Sequence, residues 1–230
     1  SNFVTGQIPV EVSARPHHFH TLINGVATDQ FDPACRNRFN REIRRLLGLD
    51  DRHILFLFVA HNLRLKNYAL LRRVFPRFVK RFPSARLVVL GKRRPGTSHH
   101  WLIYSPPVSA PERIYAAADI VLHPTFYDAC ANVVLEAMAC GCPTVSSDRN
   151  GSAEMIEHGK TGLVLPVGGP RKQVDKLWLE AMTALTEDLS LRRRMGRAAA
   201  SAIRFQQSIT DYVNRLEPIL EKIVAEKAAK

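Results

Sequence analysis

Two carboxylates placed around a helix start carry the most chemistry in this sequence. Asp128 lies in a Pro-containing loop after the apolar run Ile120 to Leu122, and Glu136 follows eight residues later on an Ala-, Leu- and Met-rich segment of helical pattern. One carboxylate belongs near the helix N-terminus and the other on its second turn. A helix N-terminus presents N–H groups that lack intrahelical partners, together with the positive end of the helix dipole, and both suit a phosphate. Carboxylates beside it accept hydrogen bonds from hydroxyl groups. The segment reads as an anion cradle between two hydroxyl acceptors, and a nucleotide sugar carries that mixture of groups.

The elements that position this segment follow from hydrophobic pattern. Apolar runs predict buried strands at Ile54–Ala60, Arg86–Leu90, Trp101–Tyr104, Ile120–Leu122, Pro143–Ser146 and Leu163–Leu165. Between them, helical patterns cover 36–47, Asn67–Phe82 (interrupted or kinked at Pro76), Pro111–Ala117, Ala131–Cys140 and Ser152–Glu157. From Arg171 onward the pattern is helical, with breaks near Ser190 and Ser208 and with Pro218 inside the last piece. Residues 1–30 read as strands and loops. Short buried strands alternating with helices predict an α/β fold, a doubly wound, Rossmann-like parallel sheet over about residues 50–185 with extra C-terminal helices. Ligands of such sheets bind outside the carboxyl ends of the strands. The residues after the strands are polar and basic: His61, Asn62, Arg64 and Lys66; Lys92, Arg93 and Arg94; His123, Thr125 and Asp128; and Ser146 to Asn150.

Neither a Gly-x-Gly-x-x-Gly turn nor a Walker A loop is present, so side-chain cations and a helix terminus must hold any phosphate. His17, His18 and His20 cluster, as do His99 and His100, but in no metal-ligand spacing, and no metal is assigned. The four cysteines form no disulfide framework and read as reduced thiols. Asn150-Gly-Ser152 matches a glycosylation sequon and reads as turn chemistry instead.

The 230 residues carry a formal charge of +12. The excess is dispersed, with no basic stripe interleaved with aromatics, which argues against a nucleic-acid partner. It fits peripheral attraction to an anionic membrane surface. No signal peptide and no apolar run of spanning length is visible, so a cytoplasmic location, peripheral to the inner face of the membrane, is expected.

Asp128-x7-Glu136 followed by Ala-Met-Ala-Cys-Gly141-Cys-Pro143 resembles the Glu-x7-Glu signature of retaining glycosyltransferases of family 4 (glycosyl transferase group 1), enzymes of GT-B architecture. Leu22 to Phe31, Ile54 to Lys66, Ile114 to Pro124 and Asn150 to Gly162 resemble further segments of that family, so the likeness covers about residues 20–205. It implies the C-terminal, donor-binding half of such an enzyme: a remnant of the N-terminal domain and interdomain linker at 1–30, a nucleotide-sugar-binding domain at 31–190 and C-terminal helices at 191–230. It implies that Glu136 accepts from the ribose hydroxyls and that the amides of Asn132 and Val133 approach the distal phosphate. Arg64 and Lys66, with Lys92 or Arg93, would neutralise the leaving diphosphate, and Asp128 would lie beside the donor sugar as the catalytic carboxylate. The donor would be a UDP- or GDP-type sugar used without a metal or other cofactor. The glycan, lipid-linked or polysaccharide acceptor would bind through the other half, leaving this half inactive alone. Asp128 stands where the family usually has Glu, and the segment from Gly91 to Trp101 is short for the family. Two alternatives from other classes are a non-catalytic nucleotide- or phosphate-binding module and a basic membrane-docking domain.

Overall fold

A computed structural model describes residues 2–7 and 20–228. His17 and His18 lie outside the described residues. Six parallel strands form one sheet in the order β3-β2-β1-β4-β5-β6. They are β1 (Ile54–Val59), β2 (Ala85–Leu90), β3 (Leu102–Ser105), β4 (Ile120–His123), β5 (Thr144–Ser147) and β6 (Leu163–Leu165). The helices are α1 (Asn2–Thr5), α2 (Ala34–Leu46), α3 (Tyr68–Arg81), α4 (Pro111–Ala117), α5 (Asn132–Ala139), α6 (Arg171–Glu187), α7 (Leu189–Gln206) and α8 (Ile209–Ala228). The strand order reverses between β1 and β4, which places the ligand crevice at their carboxyl ends.

Alternation along β1 shows why the sheet is covered on both sides. Leu55 and Leu57 pack into a core shared with α2, α4, α5 and α7, while Phe56 and Phe58 pack into the opposite core with α3 and α6. Every one of these four side chains is fully buried, and burial of each contributes about 1.5–3 kcal/mol. Helix α3 forms because Leu70, Leu71, Val74, Phe75, Phe78 and Val79 recur at helical spacing on the buried face. Of the interruption or kink expected at Pro76, the interruption does not occur: α3 runs from Tyr68 to Arg81 through it. Pro76 lies at the edge of the buried face, between buried Phe75 and exposed Arg77.

Two other expectations are corrected. Ser152–Glu157 is not an α-helix; a 3-10 turn covers Gly151–Met155. The Asn150 side chain accepts from the Ser152 amide and fixes this tighter start. The N-terminal region, read as strands and loops, has a helical turn at α1, and the β-pairing in its described part is an isolated bridge at Val26.

That bridge ties residues 23–26 to the C-terminal helices. The Val26 amide donates to the Gln207 carbonyl at 2.9 Å, and the Ile209 amide donates to Val26 at 2.8 Å. The Gln207 side chain donates to the carbonyls of Ile23 (2.6 Å) and Asn24 (2.9 Å). Gly25 permits this approach, since a Cβ there would overlap Tyr212 and the backbone at Ile209. Helix α8 has no buried residue. No described helix is long and apolar enough to cross a membrane.

Candidate functional site

Three loops at the carboxyl ends of β1, β4 and β5 are sewn together by backbone hydrogen bonds. In the first, the Asn62 side chain accepts from the amides of Arg64 (3.1 Å) and Leu65 (3.0 Å), an Asx turn that holds the loop in shape. The loop ends at Asn67, whose φ of 57° is left-handed, a conformation Asn tolerates better than most residues. The Leu65 carbonyl then accepts from the Phe126 amide at 3.0 Å, joining the first loop to the second. The Asp128 amide donates to the Arg149 carbonyl and the Gly151 amide donates to the Asp128 carbonyl, both at 3.0 Å, joining the second to the third. Gly91, at the end of β2, lies so close to β1 that a Cβ would overlap the Ala60 carbonyl.

Asp128 is the meeting point. Lys66 donates to its carboxylate, and His123 Nε2 lies 3.6 Å from the same oxygen. The Cys130 amide donates to the other oxygen at 3.3 Å. Burial alone would raise the Asp128 pKa, but the His123 ring beside it and the bond and charge of Lys66 outweigh it and hold the carboxyl at about 2. His123 is fully buried at the end of β4, and neither ring nitrogen has a hydrogen bond within normal length. Burial lowers its pKa, so the neutral imidazole is favoured.

Helix α5 starts immediately beyond. Ala131 precedes it without a side-chain cap, and the amides of Asn132 and Val133 have no earlier helical carbonyl to bond. Asn150 shapes this start from behind: its Oδ1 accepts from the Ala131 amide at 3.2 Å and its Nδ2 donates to Ser146 at 3.0 Å. Asn150 is 2 % exposed with its amide engaged on both sides, so the sequon is turn chemistry. From the segment before α2, Asn24 Nδ2 donates to Asn132 Oδ1 at 2.8 Å. One turn into α5, Glu136 Oε2 accepts from the Tyr115 hydroxyl at 2.9 Å. Burial raises the Glu136 pKa, opposed by that hydrogen bond. The helix ends at Gly141, φ 72°, where the Cys142 amide returns to Ala137 and the Gly141 amide to Met138, a Schellman closure.

The structure thus brings Asp128 and Lys66 into contact and places Asn132, Val133 and Glu136 in order along α5. Arg64 is exposed on the loop after β1, beside a groove formed with Tyr68, Arg72 and Thr97. Lys92 and Arg93 are exposed on the loop after β2, with no ion pair among the described residues. Tyr115, Asn150 and Asn24 were not among the sequence-derived site residues. Asn150 had a signal in its Asn-Gly turn; Tyr115 offered only an aromatic among alanines. No group of three or more His, Cys, Asp or Glu side chains among the described residues is placed to hold a metal ion.

The profile of the glycosyl transferases group 1 matches residues 39–202. The chain belongs to that family. It is 34% identical over 200 residues to a D-inositol 3-phosphate glycosyltransferase of Pseudarthrobacter chlorophenolicus, over 80% of this chain and 45% of the relative. It is 26% identical over 200 residues to spore coat protein SA of Bacillus subtilis, over 77% of this chain and 52% of the relative. The chain therefore spans about half the length of the curated relatives it matches. In fold it resembles a glycosyltransferase from Rickettsia africae, with a TM-score of 0.83 at 14% identity, covering 97% of this chain and 62% of that one. It also resembles Anabaena HepE, solved with UDP and glucose, with a TM-score of 0.72 at 16% identity, covering 86% and 55%. As a group 1 glycosyltransferase chain, it has a Rossmann-like sheet of the GT-B type, and the sewn loops and the α5 start occupy the crevice that this topology assigns to ligands.

Proposed function

We propose that this chain is the donor-binding half of a retaining glycosyltransferase that moves a sugar from a nucleotide-diphosphate sugar to a glycan, lipid-linked or polysaccharide acceptor. The observation that carries the proposal is the uncapped start of α5 at the switch point, with Asp128 before it and Glu136 one turn inside it. The UDP held by the similarly folded Anabaena protein accords with such a donor.

The geometry suggests how the parts would act. Glu136 keeps Oε1 for a ribose hydroxyl, because Tyr115 occupies Oε2 and fixes the carboxylate plane. The amides of Asn132 and Val133 meet the distal phosphate along the helix dipole. When the bond from the sugar's anomeric carbon to the phosphate oxygen breaks, negative charge grows on the diphosphate. The amides at the α5 start and the cations Lys66 and Arg64, with Lys92 or Arg93 from the neighbouring loop, stabilise that charge. Asp128, ionised across the working pH range, faces positive charge developing on the sugar ring. Lys66 sits between both roles, since it already bonds Asp128. The acceptor would be presented by residues beyond this chain, with 1–30 as linker and 191–230 as the returning helices.

Calorimetry with UDP, GDP and ADP tests this directly. Binding of one diphosphate, weakened about tenfold or more by Glu136→Ala, is expected, since a hydrogen bond to a charged group contributes about 1.5–3 kcal/mol. Failure of all three to bind at millimolar concentration overturns it. The Asp128–Lys66 pair favours one second reading, a nucleotide-binding module without transfer chemistry. Sugar transfer by the full-length enzyme, lost in Asp128→Asn while nucleotide affinity remains, excludes that alternative.

A further inference from the structure

The amino-terminal edge of the sheet, opposite the sewn loops, carries a second concentration of cations. Asp119, just before β4, and Gly141 and Pro143, just before β5, line a cavity of about 370 Å³ whose far wall is α7. Arg36 of α2 and Arg192, Arg193 and Arg197 of α7 line it as well. A smaller cavity of about 190 Å³ shares Arg36, Asp119 and Arg192 and adds Arg44, with Asp51 and His53 on its rim.

The local charges do not cancel. Arg36 donates to the Ala118 carbonyl, and Arg192 donates to the carbonyls of Leu185 (2.7 Å) and Thr186 (3.0 Å). Carbonyls satisfy donors but leave the guanidinium charge uncompensated. Asp119 is committed to Arg44 at 3.1 Å and to the Leu55 amide at 2.9 Å, and reaches Arg36 only at 3.8 Å. Arg193 and Arg197, one helical turn apart and exposed, have no ion pair among the described residues. Arg44 is 6 % exposed and its Nε is buried without a partner. Gly196 brings this set together: a Cβ there would overlap the Gly141 carbonyl, so α7 runs directly against the turn that closes α5.

We propose that this cleft is a binding site for a phosphate-bearing anion, separate from the donor cradle. Guanidinium forks match phosphate oxygens in pairs, and their charge survives bonding to carbonyls. The concavity suits one compact phosphate group, carried either by a small soluble ester or by a lipid headgroup.

The test is a titration of the isotopically labelled chain with inorganic phosphate and pyrophosphate, reading the amides of Gly141, Gly196 and Arg197 apart from those of Asn132 and Val133. Saturable shifts at Gly141, Gly196 and Arg197 are expected. Arg193→Ala with Arg197→Ala should weaken them at least about tenfold. Arg41→Ala with Arg45→Ala, which removes equal charge from exposed positions of α2 outside both cavities, should leave affinity within about twofold. Vesicles with and without phosphatidylglycerol distinguish the sources: pull-down that depends on Arg193 and Arg197 assigns the headgroup, and its absence alongside saturable phosphate binding assigns a soluble ester. Shifts confined to Asn132 and Val133, equal losses in both double variants, or shifts still linear at tens of millimolar, an adventitious ion only, overturn the proposal.

Discussion

Lys66 and Asp128, 62 residues apart, share an ion pair that closes the loop after β1 onto the loop after β4. The pair is four-fifths buried on both sides, with 19% of each side chain exposed. It holds Asp128 as an anion before any ligand arrives.

Asp128→Asn should destabilise the chain near neutral pH by about 1–2 kcal/mol, between the values typical of exposed and of buried pairs. The folded carboxyl is held at about 2, below its ordinary 3.8. A depressed carboxyl contributes stability that is complete above the unfolded pKa and is lost as pH falls through the folded one. The stability difference between variant and parent should therefore be constant above about pH 5 and vanish towards pH 2, which urea unfolding across that range will read.

Glu136 and Asp128 should separate in their response to acid. Burial raises the one pKa while His123 and Lys66 hold the other down. Acidification should thus weaken nucleotide binding through Glu136 first, because protonation removes its acceptor charge. Tyr115→Phe deletes the hydrogen bond that opposes the rise, so the acid limb of the affinity–pH curve should move to higher pH. An unmoved limb would remove Glu136 from the ribose contact.

Lys66→Met should reduce affinity for a nucleoside diphosphate about tenfold or more while changing affinity for the nucleoside little, since a charge-assisted hydrogen bond contributes about 1.5–3 kcal/mol. The salt dependence of diphosphate binding should flatten in the same variant. Equal losses for both ligands would show that the substitution collapses the loop instead.

Gly91→Ala tests the closeness of β1 and β2 at the rim. The new methyl would overlap the Ala60 carbonyl, a backbone atom that cannot rotate away. Overpacking of this kind costs about 1–3 kcal/mol, a fall in Tm of roughly 3–10 °C for a domain of this size. Thermal unfolding measures it.

The centre of the sheet was readable because its strands are buried on both faces: Ile54 to Val59 is one unbroken apolar run, and no register of it exposes a side chain without cost. The α5 start was readable because Asp128, the helix and Gly141 lie close together in sequence. Contacts between distant segments were not. Nothing local announces that Lys66 meets Asp128, or that Tyr115 reaches Glu136 across 21 residues. The 3-10 turn at Gly151–Met155 was misread for a related reason. Ser152 to Glu157 has helical composition, but the Asn150 side chain accepts at once from the Ser152 amide and from the Ala131 amide of the α5 start, and tightens the turn. Composition records propensity, and here the buried side chain just before the turn, tied to a segment distant in sequence, overrode it.

The hold on residues 23–26 has a mechanical consequence. Ile23 to Val26 is gripped on one side by Gln207 and Ile209, and Asn24 reaches forward to the first residue of α5. A torque applied at residue 23 is not absorbed by residues 23–26 alone. It loads the junction between α7 and α8 and, through one side-chain amide, the start of α5. The peptide that would serve as a swivel is also a lever arm, and its short end rests on Asn132.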